Sequence, residues 1–112
     1  MKEYAFTIKD IDWIIKLQDD KTYELQHGND SDGLTRGGSQ KIYIKKSKLT
    51  KRLITHELLH AYVASCCVHS IEDLSVSGME ELCAEILEFH LEQIAELSDL
   101  LYNKLKAKKK AK

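Results

Sequence analysis

The apolar positions of this chain follow a period of two at first and a helical period later. Ile11, Trp13, Ile15 and Leu17 occupy every second position, with the polar Asp12 and Lys16 between them. Successive side chains of a strand point to opposite faces, so this stretch predicts a strand near residues 11–17 with one buried face. Ile42 and Ile44 alternate with Tyr43 and Lys45 and predict a second strand over 41–46. Its lysines suit the edge of a small sheet, where charge discourages aggregation and free main chain is open to pairing with an extended peptide.

From about Ser47 the spacing becomes helical. A first long helix is expected from Ser47 or Lys48 to Cys67, with Ser47 as its N-cap. A second is expected from Gly78 or Met79 to about Lys106, with Ser77 as cap. Its first turn would hold Glu80 and Glu81, where carboxylates suit the helix dipole. Met79, Cys83, Ile86, Leu87, His90, Ile94 and Leu97 form its apolar stripe. The connection between the helices contains His69, Asp73, Ser75, Ser77 and Gly78. The segment from Gln18 to Ser39 is rich in Asp, Asn and Gly and reads mostly as loop, with one helical turn or short strand around Tyr23 to Gln26. Its length makes it a candidate wall or flap beside a site.

These elements describe an α+β fold, a small twisted sheet packed on two long helices, and 112 residues support one domain with a modest core. That domain is expected to span 1–103. Residues 104–112, which hold a run of lysines, are expected to form a frayed, disordered basic tail. The formal net charge of −1 gives no general case for nucleic-acid binding. No apolar run approaches 18 residues, and Met1-Lys2-Glu3-Tyr4 has no apolar signal segment behind it, so a cytoplasmic protein without a membrane span is expected. The three cysteines agree: adjacent Cys66 and Cys67 bridge each other poorly, and with Cys83 an odd count leaves a free thiol.

The chemistry concentrates in Thr55-His56-Glu57-Leu58-Leu59-His60, an HExxH motif in an apolar helical stretch. Residues four apart on a helix lie one above the other, so the imidazoles of His56 and His60 can converge on one metal ion. Glu57, one position round, can reach water at that metal without being a ligand, as a general base must. A catalytic zinc site needs a third protein ligand. The longer HExxHxxGxxH pattern is broken, since Val63 stands where its Gly belongs and Cys66 where its His belongs, so the candidates are carboxylates of the second helix. At about 100° per residue Glu80 lies about 70° from the centre of the apolar stripe and Glu81 about 170°. Glu80 is thus preferred, with Glu81 as the alternate because Glu85 follows it one turn on as a second carboxylate. Cys66, Cys67 and His69 are the nearest donors that would close a purely structural site.

His56-Glu57-Leu58-Leu59-His60-Ala61, followed by Glu80-Glu81-Leu82-Cys83-Ala84, resembles the gluzincin arrangement. More closely, it resembles small phage and mobile-element HExxH proteins related to the ImmA/IrrE-type metallopeptidases. The likeness covers roughly Gln40 to Ile94. It implies a minimal zincin-like core, a zinc ion on His56, His60 and a Glu of the second helix, Glu57 as catalytic base, and a peptide or protein substrate. Members of that group commonly carry Asn or Asp one turn after the ligand Glu, whereas here Ala84 follows Glu80 and Glu85 follows Glu81. The function expected is a zinc metallopeptidase. Its rivals are a catalytically inactive zinc-stabilised interaction module and a helical partner-binding protein using the second helix. His69, Tyr43 and Tyr62 are candidates to stabilise the oxyanion of a tetrahedral intermediate. His27 and His90 read as structural or exposed.

Overall fold

The computed structural model describes residues 2–66 and 76–107. Strands β1 (Lys2–Ile8) and β2 (Ile11–Gln18) form an antiparallel hairpin. Lys9 and Asp10 between them have φ of 49° and 66°, as a tight two-residue turn requires if it is to match the twist of its strands. Then follow α1 (Asp20–His27), β3 (Gly33–Arg36), β4 (Lys41–Lys45), a 3-10 turn (Lys46–Lys48), α2 (Lys51–Cys66) and α3 (Val76–Lys106). The fold is α+β.

The sheet order is β1-β2-β4-β3. β4 therefore pairs on both sides, parallel to β2 and antiparallel to β3, and lies inside the sheet, not at the edge its lysines suggested. The segment read as loop is the reason: it supplies α1 and the true edge strand β3. Asp19 caps α1 by accepting from the Thr22 amide at 2.7 Å and the Thr22 hydroxyl at 3.0 Å. At the other end Gly28, with φ 81°, donates its N–H to the Glu24 carbonyl, a left-handed closure that glycine adopts without strain.

Strand alternation gives the sheet two dressed faces. Trp13, Ile15, Leu17, Ile42 and Ile44 meet Ile54, Leu58 and Ala61 of α2 and Ile86, Ile94, Leu101 and Leu105 of α3 in one buried cluster. Trp13 also donates its indole N–H to the Ser65 hydroxyl at 2.9 Å, tying β2 to the end of α2. Tyr43 and Lys45 point to the opposite face, where α1 packs. There Lys45 Nζ lies 2.7 Å from a Glu24 carboxylate oxygen.

The helices depart from expectation at their ends. The 3-10 turn delays α2 to Lys51, and the Thr50 hydroxyl, accepting from the Leu53 amide at 3.1 Å, takes the cap role expected of Ser47. Ser47 instead donates its amide to Asp20 at 3.0 Å. α3 begins at Val76, so Ser77 is inside the helix and Glu80 and Glu81 fall in its second turn. Leu105 is buried in the core and α3 runs to Lys106, so ordered chain continues past 103. Residues 108–112 of the expected tail, and most of the interhelical connection, lie outside the described residues. Among the described residues no helix is long and apolar enough to cross a membrane.

α2 and α3 run antiparallel. Lys51 reaches Asp99 at 2.7 Å, the Thr55 and Ser98 hydroxyls are 2.9 Å apart, and the rings of Tyr62 and His90 are 5.3 Å apart. In this register the level of Cys66, the last residue of α2, falls near Ile86 of α3. The turns of α3 before Ile86 therefore extend past α2. That is why Cys83 is exposed although it continues the apolar stripe that Ile86 and Ile94 bury; Leu87, alongside the last turn of α2, is exposed too.

His27 is held between two rings, its centroid 4.9 Å from Tyr23 and 4.4 Å from Tyr43. Both its ring nitrogens are buried and lack hydrogen-bond partners among the described residues. Burial, and then the positive charge of Arg36, hold its pKa below the ordinary 6.5. The unfolded chain therefore takes up this proton more readily than the folded one. The stability owed to the neutral ring is complete above about pH 6.5 and is lost as pH falls through the lower folded-state value. Urea unfolding between pH 7.5 and 5 should show a falling midpoint, and His27→Phe should flatten the slope. An equal slope in both proteins would reject the assignment.

Candidate metal centre

Helix α2 places the three motif residues in two environments. His56 and His60 project from one exposed face with their ring centroids 4.9 Å apart, edge to face. Glu57 turns the other way, toward the sheet, and is only 4% exposed. A carboxylate that deep in a helix–sheet boundary needs a hydrogen-bond donor. Thr35 of β3 supplies it: its hydroxyl lies 2.7 Å from Glu57 Oε1 and 3.0 Å from the Glu57 carbonyl oxygen. The other carboxylate oxygen, Oε2, stays 3.9 Å from His56 Nε2. One oxygen is thus anchored and the other lies toward His56.

Register explains why β3 can do this. Gly33 pairs with Ile44 and Thr35 with Ile42, so both face α2, whereas Leu34 and Arg36 face the α1 side. At Gly33 a Cβ would lie 3.2 Å from Glu57 Cγ, Glu57 Oε2 and Leu53 Cδ1. Glycine lets the helix close on the strand there without displacing the carboxylate. Gly37 continues the contact, since a Cβ on it would meet Ala64 at 3.3 Å. Thr35 and Gly33 were not singled out from the sequence, because nothing local distinguishes them from the surrounding Asn, Asp and Gly loop.

The expected third ligand is not brought to the pair. Glu80 and Glu81 are exposed on the part of α3 that extends past α2. In the register above, Glu80 lies about 9 Å along the axis beyond the end of α2, at a rise of ~1.5 Å per residue. Among the described residues no group of three His, Cys, Asp or Glu is close enough together to hold a metal ion. Cys67 and His69, the other donors considered, lie outside the described residues, as does the side chain of Cys66. The histidine pair with its neighbouring carboxylate suits the two-imidazole part of a zinc site, and the second helix as it stands does not complete it.

The remaining candidates are also placed. Tyr43 is on the far face of the sheet, against His27, and so is removed from the motif. Tyr62 is buried against His90, whose Nδ1 lies 3.3 Å from Gln93 Oε1. The free main-chain edge of the sheet beside α2 belongs to β3, so any added strand next to the motif would pair with Gly33–Arg36 and not with β4. No family model, curated protein or solved structure matches this chain.

Proposed function

We propose that the protein is a zinc-dependent hydrolase, a cytoplasmic metallopeptidase acting on a peptide or protein. The observation that carries this reading is the pairing of two solvent-facing imidazoles, one turn apart on α2, with a buried carboxylate whose rotamer is tied to a neighbouring strand. His56 and His60 would hold zinc through their ring nitrogens. Zinc bound there would supply Lewis-acid activation of water and of a substrate carbonyl. Glu57, through Oε2, would take the proton of the attacking water and return it to the leaving amine, while Oε1 stays on Thr35. The free edge of β3 would align an extended peptide along the same side of α2. Glu80, with Glu81 as alternate, remains the third ligand favoured by the helical wheel, the sequence resemblance implying only a Glu of the second helix, and the first turns of α3 would have to approach α2 for either to serve.

Metal content tests this directly. Purified protein should carry zinc near one ion per chain, and chelation should lower its melting temperature, because an ion bound only by the folded state stabilises it by mass action, about 2.7 kcal/mol at a hundredfold excess over Kd. His56→Ala and His60→Ala should lose both the zinc and the chelator effect. Zinc-free native protein whose melting is indifferent to chelator rejects the reading. Zinc retained without hydrolysis of any peptide would assign the chain to the alternative, a zinc-stabilised interaction module.

A further inference from the structure

The first turn of α2 carries charge of the wrong sign for its place. Exposed amides make a helix start partially positive, so carboxylates belong there. Yet α2 opens on Lys51 and Arg52 with no acidic residue in that turn. Lys46 and Lys48, in the turn just before, add to the same positive lobe, and all four side chains are exposed. Part of the charge is answered locally. Lys51 pairs with Asp99 at 2.7 Å, and Lys48 lies near the Asp20 carboxylate. Arg52 has no hydrogen-bond or ion-pair partner among the described residues.

Arg52 is one turn before His56 and two before His60, so the three form a row along one face of α2. Lys51, Arg52, Thr55, His56 and Leu59 line a single concavity open to solvent. The Thr55 hydroxyl is already engaged by the Lys51 carbonyl and Ser98, each at 2.9 Å. That leaves the Arg52 guanidinium and the apolar side chain of Leu59 in the lining, next to His56.

We propose that this concavity is a substrate subsite selecting an acidic side chain, glutamate above aspartate, with Arg52 as the specificity-determining residue. This rests on the metallopeptidase reading of the adjoining histidines. A glutamate carboxylate would take the planar fork of the guanidinium while its two methylenes cover Leu59. Aspartate, one methylene shorter, would give up part of that apolar contact. Arg52 stands about one and two-thirds turns, ~9 Å, from the midpoint of the His56–His60 pair. An extended peptide advances ~3.3 Å per residue, so the acidic residue falls two or three positions from the bond that is cut.

The test compares peptides carrying Glu, Asp, Gln or Lys at those two positions. The native protein should favour Glu over Gln by about three- to fivefold in kcat/KM, the range an exposed ion pair supports. The difference should reside in KM and shrink as salt rises. Arg52→Glu should turn the preference toward Lys with zinc content unchanged. A preference for Glu that survives Arg52→Glu, or no preference in the native protein, overturns the subsite. If no peptide is cleaved, the hydrolase reading fails separately. In that case a Glu-containing octapeptide titrated onto the zinc-loaded native protein should still shift the NMR amide signals of residues 52–59. Arg52→Glu should show no such shift, and unshifted signals in the native protein overturn the subsite too.

Discussion

Glu57→Gln should retain the fold and the zinc content of the native protein and lower peptide hydrolysis by about 10²–10⁴-fold, the usual contribution of a positioned general base. The substitution is nearly isosteric. A glutamine Oε1 can still accept from Thr35 at the position where the carboxylate oxygen now lies 2.7 Å away, and the space above Gly33 stays filled by an amide group of the same shape. What disappears is the basic Oε2 on the side of His56. Loss of activity with zinc retained would therefore identify proton transfer as the missing step, because imidazole ligation and packing are left in place. Equal hydrolysis by both proteins would remove Glu57 from the mechanism, and loss of zinc along with activity would indicate that it holds the metal instead.

The second large effect is expected at a residue outside the motif. Thr35→Val should destabilise the protein by about 1–3 kcal/mol, toward the upper end because the group left unpaired is an acidic one. For a domain of this size that is a fall in Tm of about 4 °C per kcal/mol. Valine matches threonine in shape and suits a strand, so the sheet should form normally. The cost would arise at Glu57, which is 4% exposed and would keep its place without a donor or swing out toward water. Thr35→Ser retains the hydroxyl and should recover most of the loss. Urea unfolding of the three proteins measures the difference, and a valine variant as stable as the native chain would show that the contact between Thr35 and Glu57 contributes nothing.

Helix and strand periods are properties of neighbouring residues, and they were readable. Strands near 11–17 and 41–46 and two long helices follow from alternation and from the 3.6-residue repeat, each within a few residues of the observed β2, β4, α2 and α3. The juxtaposition of His56 and His60 follows equally from a spacing of four on a helix. β1 was open to the same reading, since Tyr4, Phe6 and Ile8 alternate. β3 was not, because four residues are too few to display a period and its flanks are rich in Gly, Asn and Asp.

What stayed hidden depends on which elements meet and in what register. Whether a strand is an edge is a fact about its neighbours, so the lysines of β4 misled: Lys45 is occupied by Glu24 of α1 and not set out against aggregation. The exposure of Cys83 depends on where α2 ends relative to α3, which no helical wheel of α3 contains. The same antiparallel register separates Glu80 from the histidine pair.

The division runs through the candidate centre itself. Two imidazoles and a carboxylate within five consecutive residues are a matter of local chain geometry, fixed once that stretch is helical. The burial of Glu57, its hydroxyl partner 22 positions earlier and the glycine that makes room for it exist only because β3 pairs with β4 in one register and lies along α2. A slip of one residue would turn Leu34 toward the helix in place of Thr35, since side chains of a strand alternate between faces.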